Sequence, residues 1–309
     1  MEFSHIVSSP LARSTGACNH RLGNGSTTIF QSSAILFPSF VRPRLAGKRD
    51  RFGRKRHLGT YATLDAASFM VASSRDLGVA ALVTAGGYSL VRAFDRLTMR
   101  DLIEKSLSRK IVHVLSGLLY TASWPLFSSS SQARYFAAVV PLLNCIRLLI
   151  YGLSIVTDED VINSITREGK SEELLRGPLY YVIVLMVSSL IFWRESPVGI
   201  ISLAMMSGGD GIADIIGRRY GSLKLPHNRR KSWMGSISMF IFGIIFSVMM
   251  LYYFSAFGYF HLGWSTVEKV VLISFAATVV ESLPLSEVID DNITVPVTSM
   301  VAACLLFGF

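Results

Sequence analysis

The sequence has little charge and almost no cysteine, and both deficits narrow its class. Charged residues make up 17% of the 309 positions, against roughly 25% in a soluble domain, while 51% are hydrophobic and the mean hydropathy is +0.46. So much apolar and aromatic sequence excludes an intrinsically disordered chain and a coiled coil. The three cysteines, Cys18, Cys145 and Cys304, have no paired spacing, which excludes a disulfide scaffold and a zinc ribbon.

Three familiar patterns are also absent. No Gly-x-x-x-x-Gly-Lys-Ser/Thr segment occurs, so a Walker A phosphate loop is excluded. Internal repeats and low-complexity segments are missing. A secretory signal would need an apolar core of about 7–15 residues directly after a basic start, and the N-terminus has none.

The formal net charge of +9 is concentrated at the N-terminus. Residues 1–60 hold ten Lys/Arg and two acids, which accounts for +8, and they are rich in Ser and Thr. This composition predicts a disordered organelle transit peptide over residues 1–60, followed by a single membrane-embedded domain over 61–309. A cytosolic tail is the alternative. A nucleic-acid partner is not expected, because nothing downstream resembles a nucleic-acid-binding module.

After about residue 65, apolar runs alternate with short charged connections. A helix that spans a bilayer needs about 20 mostly apolar residues. The runs therefore predict an all-α polytopic membrane bundle of about seven or eight helices. The predicted spans are 77–94, 111–127, 135–156, 178–194, 197–217, 234–258, 268–285 and 292–309.

The basic residues of this region lie mostly on one side of the predicted bundle. Fifteen of the 20 Lys/Arg that follow residue 60 lie in four connections between the predicted spans, when Arg92 at the first boundary is included. These connections are 95–110, 157–177, 218–233 and 286–291. The opposite side holds four, and Arg147 lies within a span. The positive-inside bias places the charged connections on the cytoplasmic or stromal face, where nucleotides are available.

The densest group of polar residues lies at 206–221. On a helix Asp210, Asp214 and Arg218 follow one another at i, i+4 and i+8, so they share a face. Carboxylates one turn apart are oxygen ligands that suit Mg²⁺ carrying a polyphosphate, and charges at membrane depth are usually functional. The glycines of the same segment could admit a ligand, but close helix packing is the favoured interpretation.

The next connection, 223–236, has four basic residues and no acid. A positive-inside anchor explains its charge but not its Lys-Ser-x-x-Gly-Ser ending at the start of a helix, where backbone N–H groups favour phosphate. We therefore expect nucleotide phosphates to be bound here. The candidate residues are Arg218, Lys224, Asn228, Lys231, Ser232, Gly235 and Ser236.

Further candidates lie on the same predicted face. Arg109 and Lys110 are possible phosphate contacts, and His113 is either catalytic or a hydrogen-bonded packing residue. Asn144 and Arg147 are a buried pair or part of the site, and Trp124, Tyr252 and Tyr253 are interpreted as an interfacial aromatic belt. The acids and amide that would complete a metal site are Glu281, Asp290, Asp291 and Asn292.

These motifs together resemble the phytol kinase and farnesol kinase family of plant chloroplasts over about residues 75–309. More distantly, Asp210, Lys224 and Lys231 with their neighbours look like the core of membrane CDP-diacylglycerol synthases and CTP-dependent dolichol kinases. The segments that carry the closer resemblance are SRKIVH at 108–113, WPLFS at 124–128, ELLRGP at 173–178, FWRESP at 192–197, GGDGIAD at 208–214 and VESLP at 280–284.

The resemblance implies an activity. A phosphoryl group would pass from CTP to phytol released from chlorophyll, and the phytyl phosphate would feed tocopherol synthesis. Asp210 and Asp214 would hold Mg²⁺, with one of them accepting the alcohol proton. The site would face the stroma from a chloroplast membrane, with the prenyl alcohol dissolved in membrane lipid.

Three alternatives remain open at this level. A farnesol or geranylgeraniol kinase would differ in substrate alone. A lipid-phosphate cytidylyltransferase would transfer CMP rather than phosphate. A transporter would use the membrane acids as an ion path, but it would be expected to show inverted repeats and broken helices in both halves. Neither pattern is visible in the sequence, and the polar groups gather at one face rather than at the midplane.

Overall fold

The structure, a computed structural model, describes residues 54–159, 162, 165, 166, 169–284 and 289–308, with the backbone alone for 54–67. Within these ranges all regular secondary structure is helical, apart from one isolated bridge between Lys224 and Ser232. The longer helices are α1 (Arg54–Met99), α2 (Lys105–Ala122), α3 (Ala133–Gly152), α4 (Gly177–Ile191), α5 (Pro197–Ala204), α6 (Gly211–Tyr220), α7 (Trp233–Ala256), α8 (Trp264–Ser282) and α9 (Asp291–Phe307).

The prediction of an all-α membrane bundle is confirmed. Among the described residues, five helical segments are long and apolar enough to cross a bilayer, judged by length and composition. The helix α9 is apolar but shorter. The five segments are Ser68–Met99, Ala133–Gly152, Ser171–Ile191, Pro197–Tyr220 and Trp233–Ala256.

The segment Pro197–Tyr220 forms the centre of the bundle. Its apolar window is 78% buried, against 6% for that of α1, and it contacts α2, α4, α7 and α9 directly or through its middle turn. The Ser274 hydroxyl of α8 lies 3.3 Å from the Met205 sulfur in that turn. That middle turn, Met205–Asp210, is a π-helix between α5 and α6. The sequence predicts one regular helix here, so the wider turn is a difference; π-turns inside α-helices occur frequently at functional sites.

The helix ends differ from the predicted spans because the spans were bounded by charges. The predicted first span, 77–94, lies inside the 46-residue α1, and α2 begins at Lys105 rather than at 111. A charged side chain interrupts an apolar run, yet it is compatible with a helical backbone. The transit peptide predicted for residues 1–60 stays a prediction, because residues 1–53 lie outside the part of the chain that the structure describes.

The end of the bundle opposite the charged connections is held by a buried polar network. Asp76, 1% exposed, accepts hydrogen bonds from the Ser128 backbone N–H at 2.6 Å and from its hydroxyl at 2.8 Å. Arg194, 4% exposed, donates to the carbonyls of Phe127 at 3.1 Å and Ser128 at 2.7 Å. The network thereby ties α1 and the turns that follow α2 and α4 to one another.

The interpretation of Trp124 as an interfacial belt residue is wrong. Its side chain is fully buried, with the Trp193 ring centroid 5.1 Å away and the Phe254 ring centroid 6.2 Å away. Tyr253 is half-buried and donates to the Ala122 carbonyl at 2.9 Å, so it also packs between helices. In the sequence, an aromatic residue at the end of a span is compatible with an interfacial belt and with packing between helices. The positions of the neighbouring helices decide between the two.

The network around Asp76 generates a stability prediction. Asp76→Ala removes the acceptor for the buried Ser128 N–H and hydroxyl, so we expect a loss of about 3 kcal/mol in unfolding free energy. Thermal unfolding in detergent measures it. Ser74→Ala is the control, because that exposed hydroxyl bonds to the Val71 carbonyl in its own helix. Equal midpoints for the two variants would contradict the prediction.

Candidate active site

The predicted charged connections do meet at one end of the bundle. There α2, α6, the segment between α6 and α7, and the facing ends of α8 and α9 enclose a cleft of about 490 Å³. Five basic and four acidic residues line it. They are Lys110, Arg218, Lys224, Arg230 and Lys231, with Asp210, Asp214, Glu281 and Asp291. A cleft of this composition can bind a cation and a polyphosphate side by side.

One group of ion pairs is built on the central helix. Asp210, at the end of the π-turn, lies 3.7 Å from Lys110 Nζ, and Asp214, one turn later, lies 3.2 Å from the same atom. Arg218 Nε lies 2.8 Å from Asp214 Oδ1. The three residues thus share a face, as their spacing predicts, and Lys110 from α2 connects the two carboxylates.

A second group is built around Lys231. Its ammonium donates to Glu281, and it donates to Asp291 Oδ2 at 2.8 Å. Burial alone lowers the pKa of Lys231, but the negative charges of Glu281, Asp210 and Asp291 outweigh it and raise the pKa above its ordinary value. Lys231 is therefore a fixed positive charge at neutral pH, joining α8 and α9 to the loop before α7.

The carboxylates of Asp210, Glu281 and Asp291 can hold a metal ion. Each offers one oxygen, and these oxygens lie within 4.8 Å of one another. Among the described residues Glu281 Oε2 has no hydrogen-bond partner, although it is buried. A set of hard oxygen ligands suits Mg²⁺, so the residues fit such an ion. Asp214 lies outside this group and is paired instead with Lys110 and Arg218.

The start of α7 has fewer open backbone donors than its sequence indicates. Ser232 is the N-cap, and its hydroxyl accepts from the Gly235 N–H at 3.2 Å. The Trp233 N–H donates to the Leu223 carbonyl at 3.1 Å. The groups available to a phosphate are thus side chains that line the cleft. They include Lys224 and the buried Ser236 hydroxyl, which has no hydrogen-bond partner among the described residues.

Three predicted ligands lie beside the cleft and support its frame. Asn228 is buried and donates to the carbonyls of Ser282 at 3.2 Å and Leu283 at 3.1 Å. Asp290 caps α9 by accepting from the Asn292 N–H at 2.9 Å, and the Asn292 amide donates to Gly177 O at 3.3 Å. These bonds hold α8, α9 and α4 in register around the acids.

Arg109 and His113 lie on the wall of a second, larger cavity that adjoins the cleft. His113 Nε2 is 3.4 Å from the Met206 carbonyl, and its ring centroid is 4.1 Å from that of Tyr181. The geometry matches a hydrogen-bonded packing residue that braces the π-turn. Asn144 and Arg147 line the same cavity.

The glycines of the central segment serve helix packing. A Cβ on Gly208 would overlap Phe246 of α7, and one on Gly211 would overlap Val114 of α2. A Cβ on Gly217 would lie 3.4 Å from the Gly235 Cα. These close approaches bring α2 and α7 against α6, and thereby place Lys110 and Ser236 beside the two aspartates.

Sequence reasoning missed Arg230 as a lining residue and Tyr181 as a bridge between helices. The Tyr181 hydroxyl donates to the His113 carbonyl at 2.7 Å. Arg230 belongs to the basic loop, so its charge was visible in the sequence. The partner of Tyr181 lies 68 residues away, and no local signal could identify it.

Comparison with known proteins shows close relatives. The chain is 65% identical over 245 residues to the probable phytol kinase 1, chloroplastic, of Oryza sativa subsp. japonica, covering 79% of this chain and 78% of the relative. It is 58% identical over 284 residues to the probable phytol kinase, chloroplastic, of Triticum aestivum, covering 90% and 95%. It is 50% identical over 299 residues to phytol kinase 1, chloroplastic, of Arabidopsis thaliana, covering 94% and 97%. No family model and no solved structure matches.

The contacts of Asn228 give a prediction about the frame of the cleft. Asn228→Ala leaves two carbonyls at the end of α8 without their donor, so we expect unfolding in detergent to become easier by about 2 kcal/mol. Arg229→Ala, which changes the exposed residue that follows, should leave the free energy of unfolding within about 0.5 kcal/mol of the parent's. An unaltered midpoint in Asn228→Ala would show that the amide does not hold the loop against α8.

Proposed function

The chain belongs to the phytol kinase family of plant chloroplasts, and we propose that it transfers the terminal phosphoryl group of CTP to phytol. One observation carries the proposal. Asp210 and Lys110 line both the charged cleft and the larger, mostly apolar cavity beside it. A nucleotide in the first and a membrane alcohol in the second would meet at these two residues.

The cleft supports a nucleotide triphosphate as donor. Its basic residues come from α2, α6 and the loop before α7, so they surround a polyphosphate from several directions. Phosphoryl transfer depends mainly on such positioning and charge neutralisation. The choice of CTP rests on the resemblance of the segment around Asp210 and of the Lys231-Ser232 ending to CTP-dependent membrane enzymes.

We assign the metal to Asp210, Glu281 and Asp291. When bound there, Mg²⁺ supplies charge neutralisation to the terminal phosphates of the nucleotide. In the structure Lys231 is the counter-ion of Glu281 and Asp291, and Lys110 is that of Asp210. Asp214 has a different role in this scheme, because it orients Lys110 and Arg218 toward the phosphates.

The reaction is a direct displacement. The alcohol oxygen forms a bond to the terminal phosphorus, while the bond from that phosphorus to the bridging oxygen breaks and the nucleoside diphosphate leaves. Asp210 accepts the alcohol proton. Among the four cleft acids only Asp210 and Asp291 also line the apolar cavity; Asp291 is hydrogen-bonded to Lys231 at 2.8 Å, whereas Asp210 lies 3.7 Å from Lys110. Lys110 and Arg218 stabilise the charge on the transferred group.

The chloroplastic relatives and the apolar helices support a place in a chloroplast membrane. We propose that the cleft faces the stroma, because its end of the bundle holds most of the basic residues and nucleotides are available there. The product, phytyl phosphate, would then supply tocopherol synthesis. Membrane embedding suits the reaction, since the alcohol is already dissolved in lipid.

Labelled CTP tests the activity directly. With membranes containing the protein, label from the γ position should appear in a phytyl product and label from the α position should not. Asp210→Asn should lower the rate by about 10³-fold, because the base is lost while an isosteric side chain remains. Glu268→Gln, an exposed acid in α8, is the control. Transfer of the α label would instead identify a cytidylyltransferase.

The metal assignment has a readout that does not depend on activity. At ten times its Kd, Mg²⁺ should stabilise the purified protein by about 1.4 kcal/mol, seen as a higher unfolding midpoint. Glu281→Gln and Asp291→Asn should each reduce this shift, and Glu268→Gln should preserve it. A full Mg²⁺ shift in both site variants would place the ion elsewhere.

A further inference from the structure

A cavity of about 1370 Å³ lies between α1, α2, α3 and α4, next to the charged cleft. It is larger than the roughly 300–1,000 Å³ of ordinary small-molecule pockets. The cavity and the cleft share four wall residues. These are Lys110, Asp210, Arg218 and Asp291. A ligand in the cavity can therefore present one end to the residues that we assign to phosphoryl transfer.

The cavity changes from polar to apolar with depth. Near the cleft its wall includes charged residues from the helix ends, such as Arg109, Glu173 and Arg176. Farther along α2, α3 and α4 the wall consists of side chains such as Leu119, Val140 and Leu185. This gradient matches an amphiphile with a small polar head and a long apolar tail.

The depth is set by the helices that line it. Along α2 the wall extends from Lys110, where the cavity meets the cleft, to Tyr120, which is about 15 Å at 1.5 Å per residue. Along α1 it runs from Asp95 back to Val83, about 18 Å by the same rise. The cavity is thus elongated parallel to the helices, as an extended tail requires.

Gly87 lies in the middle of the α1 wall. Val83, Gly87, Val91 and Asp95 follow one another at intervals of four, so they share one face of α1, and all four line the cavity. A Cβ built on Gly87 would meet no atom within 4 Å. The glycine therefore does not serve close packing, unlike Gly211 in the central segment; as a wall residue it leaves the space beside α1 unfilled.

We propose that this cavity holds the isoprenoid tail of the acceptor alcohol, and that Gly87 is a specificity-determining residue for tail length. The hydroxyl lies at Asp210 and Lys110, and the tail extends between α1 and α2 toward Val83 and Leu119. The inference rests on the proposed function and adds to it the site of the acceptor. Since α1 is the least buried of the candidate spans, the tail can enter from the bilayer beside it.

A nucleotide is a poor occupant of the deep part of this cavity. Its base and ribose would leave polar groups without partners against Leu119, Val140 and Leu185. The basic residues that a triphosphate needs surround the smaller cleft instead. The apolar end is therefore assigned to the lipid substrate.

Substitution of Gly87 tests the assignment. Gly87→Leu places a branched side chain in the tail path, and leucine is a better helix former than glycine, so the helix is retained. Gly78→Leu is the matched control: it is nine residues away, on the opposite face of α1, is exposed, and also has open space around its Cβ. Leu119→Trp narrows the same end of the cavity from the α2 wall.

Each variant is assayed with phytol, farnesol and geraniol, in order of decreasing tail length. We expect Gly87→Leu and Leu119→Trp to lower kcat/KM for phytol on the order of tenfold or more, while geraniol is affected far less and Gly78→Leu behaves as the parent. If both cavity variants keep the parent's ratio of phytol to geraniol, the tail lies elsewhere although the kinase assignment stands. If the parent phosphorylates none of the three alcohols, the proposed function itself is overturned.

Discussion

Four carboxylates at one end of an apolar bundle are the constraint on which the rest of the site depends. Buried acids are costly unless they are paired or bind a cation. Here Lys110 pairs with Asp210 and Asp214, and Lys231 pairs with Glu281 and Asp291. Each lysine comes from a different element than the acids it contacts, so the ion pairs hold α2, α6, α8 and α9 together at the cleft. The same arrangement leaves Asp210, Glu281 and Asp291 close enough together to hold a divalent cation.

Close packing places these charges. Gly208, Gly211 and Gly217 allow α7 and α2 to approach the central helix, and the π-turn between α5 and α6 ends at Asp210. Larger residues at these positions would separate the helices that supply the two lysines. The opposite end of the bundle is held by buried hydrogen bonds that Asp76 accepts and Arg194 donates. One polar end is thus structural, and the other contains the cleft that we propose as the active site.

The two cavities divide the chemistry of the proposed reaction. The smaller cleft is charged and suits a nucleotide, whereas the larger one becomes apolar with depth and suits a prenyl tail. In the proposed reaction their shared wall at Asp210 and Lys110 would bring a water-soluble donor and a lipid-soluble acceptor to the same residues. A kinase embedded among lipid-facing helices avoids extracting its acceptor from the membrane, which would expose apolar surface to water.

The sequence by itself determined the structural class of the protein and predicted many of the residues that line the candidate site. Apolar runs of spanning length predicted an all-α bundle, because a bilayer demands helices whose backbone bonds are internal. The i, i+4, i+8 spacing placed Asp210, Asp214 and Arg218 on one face, since helix geometry is local. Tertiary structure decided the pairings: Lys231 with Glu281, Asn228 with the end of α8, and Trp124 in the core rather than at the interface. These contacts join residues far apart in the chain, and their geometry follows from how the helices pack, which no local pattern encodes.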